Sequence, residues 1–113
     1  MRLPSRETLI QKLKREADRI LKDLDEVEEV ILFGSLARGD DGIYSDADVL
    51  IILDSSPYKR YFDRIPQYAS IFVKFDIPVE VFPYTRAELD RMCKNGNLFI
   101  TGILEEGISL SKR

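Results

Sequence analysis

The chain contains no histidine. Ser-His-Asp and Cys-His catalysis are therefore excluded, and any acid–base or metal chemistry has to rest on carboxylates. Cys93 is the only cysteine, which rules out an intrachain disulfide and a cysteine zinc cage. Long apolar runs are missing as well. The longest, Val49 to Leu53, is far short of the ~20 residues a membrane helix needs. Excess positive charge is absent too: 17 basic residues face 20 acidic ones, a net charge of −3. No broad positive field exists to hold a phosphate backbone, so a nucleic-acid partner is not expected. The first residues, Met1-Arg2-Leu3-Pro4-Ser5-Arg6-Glu7, carry charge where a signal peptide needs an apolar run, and a cytoplasmic protein is expected. No repeat, linker or low-complexity segment interrupts the chain.

What is present fits one domain, residues 1–113. Hydrophobic residues make up 44% and charged residues 33%, an ordinary globular composition. Leu9, Ile10, Leu13, Ala17, Ile20, Leu21 and Leu24 recur at helical spacing and predict an amphipathic helix from about Arg6 to Asp23, with Ser5 as N-cap. Val30-Ile31-Leu32-Phe33 reads as a buried strand stopped by Gly34. A loop rich in glycine and small polar residues follows, with room for one helical turn. Val49 to Leu53, three of them β-branched, predict a central strand covered on both faces. Tyr58 to about Lys74 reads as helical with a break or restart at Pro66. Ile77 to Phe82 reads as a third strand closed by Pro83. Thr85 and Glu88 form a capping box for a helix from Arg86 to about Lys94, ended by Asn95-Gly96-Asn97. A last helix spans about Leu98 to Glu106, Gly107 stops it, and Ile108-Ser109-Leu110 can add an edge strand. The expected fold class is α+β, α/β-like, with a small sheet flanked by helices.

Four aspartates, Asp40, Asp41, Asp46 and Asp48, fall close together. Asp40 and Asp41 suit a turn, since Asp41 precedes Gly42. Asp46 and Asp48 stand at the entrance to the most apolar strand. Extended backbone aims both at one face, roughly 6.6 Å apart along the strand. Two ionised carboxylates placed so repel each other and resist desolvation, and a divalent cation removes both costs. Magnesium, which takes a few carboxylates, waters and substrate phosphates, fits this geometry. Glu80 is the one charge within the third strand. Next to Val49 to Leu53 it would complete a three-carboxylate site; on an outer edge it would merely be solvated. Gly34 allows close backbone approach, Ser35 adds a hydroxyl and oriented amides at a helical turn, and Arg38 is near enough to contact a phosphate.

Together, Leu32-Phe33-Gly34-Ser35-Leu36-Ala37-Arg38-Gly39 and Ser45-Asp46-Ala47-Asp48-Val49 resemble the minimal nucleotidyltransferases of the DNA polymerase beta superfamily. Their motif is a hydrophobic residue, Gly-Ser, ten residues and Asp-x-Asp, and here Leu36 to Ser45 are the ten. The resemblance extends over roughly the whole chain and is most specific from Phe33 to Leu53. It implies a polymerase beta-like fold with a small mixed sheet. It implies nucleotidyl transfer with Asp46 and Asp48 holding Mg²⁺, two ions during turnover, and Gly34 and Ser35 at the phosphates of ATP. The third carboxylate maps by position to Glu80, as metal ligand or base, where many members carry aspartate. The minimal branch often stands beside a HEPN-type helical toxin, and in some pairs the transferase is the antitoxin that moves AMP onto a toxin tyrosine. Two other readings remain. One is transfer to a small-molecule hydroxyl, for which the chain lacks the usual extra helical domain. The other is a non-catalytic module that neutralises a helical partner by contact through residues such as Leu98, Phe99, Ile100, Ile103 and Leu104. Tyr58, Tyr61 and Tyr68 share the predicted second long helix and read as ordinary packing or as a groove lining.

Overall fold

The structure, a computed structural model, describes residues 4–39 and 46–113. Asp40, Asp41, Gly42, Tyr44 and Ser45 lie outside them. The element order is α1 (Arg6–Asp23), β1 (Val27–Phe33), α2 (Ser35–Arg38), β2 (Ala47–Leu53), α3 (Tyr61–Ala69), a 3₁₀ turn at Ser70–Phe72, β3 (Val79–Thr85), α4 (Arg86–Lys94), α5 (Leu98–Glu106) and β4 (Ile108–Lys112). The strands form one mixed sheet in the order β3-β2-β1-β4. β1 runs antiparallel to both β2 and β4, while β2 and β3 run parallel.

Period-two alternation sorts the strand side chains onto two faces. Leu32, Val49, Ile51, Leu53 and Val81 join Leu9, Leu13, Ala17 and Ile20 of α1 and Tyr68 of α3 in one core. Ile31, Leu50 and Ile52 meet Leu89 of α4 and Ile100 and Ile103 of α5 in the other. The sheet is thus covered on both faces, as the unbroken apolar run of β2 requires. Ser5 caps α1 by accepting from the Thr8 amide at 3.2 Å. The Thr85/Glu88 capping box starts α4 as expected.

Several predicted boundaries are corrected. Pro83 does not close β3 but sits within it. The Ala47 amide donates to the Pro78 carbonyl, so even-numbered residues of β3 face β2 and Pro83 faces the open edge, where its missing N–H breaks no ladder. Its carbonyl accepts from Arg64 Nη1 instead. Helix α3 begins only at Tyr61, because the Tyr58 and Lys59 carbonyls accept from Arg64 Nε and Nη2 rather than from a helical ladder. It also passes through Pro66, which lacks the donor but keeps the acceptor: its carbonyl takes the Ser70 amide. Tyr58 is therefore outside the helix. Asn95-Gly96-Asn97 ends α4 as expected, with Gly96 at a φ of 77° and the Asn97 amide donating to the Met92 carbonyl, and the Asn97 side chain also caps α5 by accepting from the Ile100 amide. The last helix splits its apolar residues: Ile100 and Ile103 are core, whereas Leu98, Phe99 and Leu104 are exposed. No helix among the described residues is long and apolar enough to cross a membrane.

Arg64 ties this side of the molecule together. Its buried guanidinium donates to the carbonyls of Tyr58, Lys59 and Pro83 and to both Glu88 oxygens. All five donors are satisfied, and the contact holds the Glu88 carboxyl below its ordinary range, chiefly through these hydrogen bonds. Replacing Arg64 by alanine leaves Glu88 and three carbonyls short of donors, and the expected loss in urea unfolding is about 3–5 kcal/mol.

Candidate active site

The site lies at the end of the sheet where β1 leaves and β2 and β3 enter. Phe33 pairs with Asp48 across the β1–β2 ladder, and Asp48 pairs with Glu80 across the β2–β3 ladder. Phe33, Asp48 and Glu80 therefore form one cross-sheet row on the α4/α5 face. Asp46 stands one residue before β2. Carboxylate oxygens of Asp46, Asp48 and Glu80 lie within 4.8 Å of one another. The parallel neighbour that Glu80 needed is thus present, although β3 is also an edge strand and Glu80 is exposed.

Three carboxyls this close cannot all ionise freely. Burial, then the charges of Asp46 and Glu80, push the Asp48 carboxyl up to about 6, opposed by Arg38. A side-chain hydrogen bond between Asp48 and Glu80 accompanies the shift. An all-oxygen donor set of this size fits a hard divalent cation, and Mg²⁺ in particular, which needs only one or two carboxylates beside waters and phosphates.

Gly34 joins this cluster to α2. Its φ of 82° is in the region that favours glycine, and a Cβ there would fall 2.5 Å from Asp48 Oδ2. The backbone conformation requires glycine, and a Cβ would in addition displace the Asp48 carboxylate. The single turn of α2 starts at Ser35 and ends at Arg38. Leu36 anchors it in the core, and Arg6 holds its far end by donating to the Leu36 and Ala37 carbonyls, each at 2.8 Å. This role of Arg6 was not read from the sequence. Its only local signal is a charged residue at the start of α1, thirty positions from its partners. Arg38 is exposed and lines, with Phe33, Gly34 and Phe99, a cavity of about 280 Å³. Every described residue singled out for the site therefore reaches one end of the sheet.

A mixed four-stranded sheet with helices on both faces, carrying Gly-Ser and converging carboxylates at one end, is the frame of a polymerase beta-like nucleotidyltransferase. The chain belongs to the nucleotidyltransferase domain family, whose sequence profile matches residues 14–107. It is 38% identical over 79 residues to the candidate protein adenylyltransferase MJ0141 of Methanocaldococcus jannaschii, covering 69% of this chain and 78% of that protein. A second candidate protein adenylyltransferase of the same organism, MJ1305, is 37% identical over 82 residues, 71% of this chain and 55% of the relative. Among solved structures, a candidate nucleotidyltransferase from Sulfolobus solfataricus superposes with a TM-score of 0.68 at 22% identity, over 96% of this chain and 84% of its own. A toxin–antitoxin structure with AMP-PNP gives a TM-score of 0.54 at 16% identity, over 88% and 73%. At these identities the solved structures establish the shared fold.

The raised Asp48 carboxyl has a consequence for stability. A group whose pKa is raised on folding favours the fold below its unfolded pKa and loses that contribution as pH rises through the folded value. Without divalent cations the protein should thus be less stable at pH 7.5 than the same fold with Asp48→Asn. The gain in Tm of D48N should shrink as pH falls below about 6. Thermal melts of both proteins in chelator across pH 5–8 check this.

Proposed function

We propose that the protein transfers AMP from ATP to a hydroxyl of a protein partner, releasing pyrophosphate, and that it does so as the antitoxin of a HEPN-type helical toxin. The observation that carries the chemistry is the approach of the Asp46, Asp48 and Glu80 carboxylates within 4.8 Å beside Gly34. Protein adenylylation is supported by the names of its Methanocaldococcus relatives. The toxin–antitoxin setting is supported by the solved neighbour that carries AMP-PNP. The reading treats residues 1–113 as one catalytic unit working in the cytoplasm, with ATP and Mg²⁺ as substrate and cofactor.

In this reading Asp46 and Asp48 would hold Mg²⁺, and Glu80 would contribute to a second ion. Bound there, magnesium would neutralise the phosphates and stabilise the entering and leaving oxygens. The chain's own residues do the rest. Gly34 keeps a side chain out of the phosphate path, Ser35 offers its hydroxyl and amide to the β- and γ-phosphates, and Arg38 adds positive charge at the same end. Glu80 takes the proton of the acceptor hydroxyl as its oxygen bonds to the α-phosphorus and the bond to pyrophosphate breaks. Positioning and charge stabilisation account for most of the acceleration. A net charge of −3 disfavours a nucleic-acid acceptor.

The test is incubation of the protein with Mg²⁺, labelled ATP and a helical protein encoded beside it, read by intact mass. An AMP adduct on the partner is expected. Asp46→Ala or Asp48→Ala should slow its appearance about a thousandfold or more, since several kcal/mol of charge stabilisation are lost. Glu80→Gln should slow it about 10²–10⁴-fold. Undiminished transfer by the Asp46/Asp48 double alanine variant would sink the metal assignment. Silencing of the partner without any adduct would favour a contact-only module.

A further inference from the structure

A helix of four residues has almost no ladder of its own, because the last four carbonyls of any helix lack intrahelical donors. In α2 the local chain supplies two partners. The Arg38 amide donates to the Gly34 carbonyl and the Gly39 amide to the Ser35 carbonyl, each at 3.1 Å. The Leu36 and Ala37 carbonyls are taken by Nε and Nη2 of Arg6. Half of the carbonyls from Gly34 to Ala37 thus depend on one side chain of another helix. A single helical turn is unfavourable by itself, so α2 is imposed from outside, by Leu36 in the core and by this guanidinium. Ser35 and Arg38, the two side chains that the transfer reading sets at the phosphates, both ride on that turn.

We propose that Arg6 is a positioning residue for the donor nucleotide: it sets the affinity for the β- and γ-phosphates by holding α2 in its binding geometry before ATP arrives. This deepens the adenylyl-transfer reading and rests on it for the place of the phosphates. Arg6 acts through the backbone of α2. Arginine suits that task because its planar fork spans two successive carbonyls, whereas the ammonium of lysine is a point charge without a fixed fork. The fork also comes from a rigid element. Arg6 opens α1, whose Leu9, Leu13 and Ala17 are fully buried. Ser5 fixes the same end of α1 by accepting from the Thr8 amide.

Gly39 shapes the seat of the guanidinium. Its φ of 73° favours glycine, and a Cβ there would come within 3.3 Å of Arg6 Nε. The glycine that ends α2 therefore also leaves room for the side chain that holds it. Without Arg6 the Leu36 and Ala37 carbonyls turn to water, and the turn is free to unwind. Ordering it again falls to the bound nucleotide, and apparent affinity drops in proportion to the population of the ordered turn. Once ATP is bound the turn is formed with or without Arg6, so the chemical step changes little.

The test compares the parent with Arg6→Ala, Arg6→Lys and Arg113→Ala. Arg113 is the control because it does the same chemistry away from the site, donating to the Leu21, Leu24 and Val27 carbonyls at the other end of α1. Binding of a non-hydrolysable ATP analogue with Mg²⁺ is measured by calorimetry and located by amide shifts in ¹⁵N-labelled protein. The parent should bind with shifts in residues 33–38. R6A should bind about tenfold or more weakly, R6K should fall between the two, and R113A should bind as the parent does even where its Tm drops as far as that of R6A. With labelled ATP, Mg²⁺ and the helical partner, R6A should raise KM for ATP by the same factor and keep kcat within about threefold of the parent. A purely structural role would lower Tm and the active fraction, hence the apparent kcat, and leave KM for ATP and the analogue's affinity unmoved. Equal analogue binding by R6A and the parent, or equal weakening in R6A and R113A, would overturn the inference and leave the transfer reading standing. Should R6A fail to fold, R6K carries the comparison, and parent-like binding by it would overturn the inference. A parent that binds the analogue without shifts in residues 33–38, or not at all, would overturn the inference together with the phosphate assignment. Weakened binding by R6A in a parent that transfers no AMP would support the role of Arg6 and count against the transfer reading.

Discussion

Parallel pairing of β2 with β3 brings Glu80 opposite Asp48, and the approach of their carboxylates is the constraint around which this end of the molecule is built. Like charges at this separation repel, and partial burial makes the repulsion costlier. The strands keep their register nonetheless, because a one-residue slip would turn the apolar side chains of β2 off their core faces. Val49, Leu50, Ile51, Ile52 and Leu53 are all fully buried. Core packing thus holds the acidic row in place against its own repulsion. The cost appears as the upward shift of Asp48, to which burial contributes most and the charges of Asp46 and Glu80 next.

Two arginines steady the flanks of this row. Arg6, from the first turn of α1, donates to the end of α2 and fixes the turn that follows Gly34. Arg64, from α3, fixes the outer strand and the start of α4. Each acts through backbone carbonyls, and charge-assisted hydrogen bonds of this kind are among the stronger ones available. The result is a short, exposed loop-and-edge region held on rigid elements, which catalysis by positioning requires.

Much of this was legible in the residues. The amphipathic period set α1 to its observed bounds, the β-branched run marked β2 as central, and the Thr85/Glu88 box began α4. Gly34-Ser35 and Asp46-x-Asp48 were recognisable because each piece of chemistry is local: a positive φ, a short turn, and period-two alternation into a buried strand. The boundaries that moved did so for non-local reasons. Pro83 was read as a strand end because proline cannot donate to a ladder, but an edge position removes that objection. Tyr58 was read as helical because the distant partners Pro83 and Glu88, which hold the guanidinium of Arg64 where it can claim the Tyr58 carbonyl, are not visible in the local residues.

The sequence by itself determined the elements, the buried run of β2, the glycine that must precede α2, and the absence of histidine that leaves the chemistry to carboxylates. Only the tertiary structure decided that β3 runs parallel beside β2, that Glu80 joins Asp46 and Asp48, and that Arg6 and Arg64 brace the two sides. The physical reason is that hydrophobic period and turn chemistry act over a few residues. Strand order and side-chain hydrogen bonds across 19 or more positions depend on how all the apolar faces are buried at once.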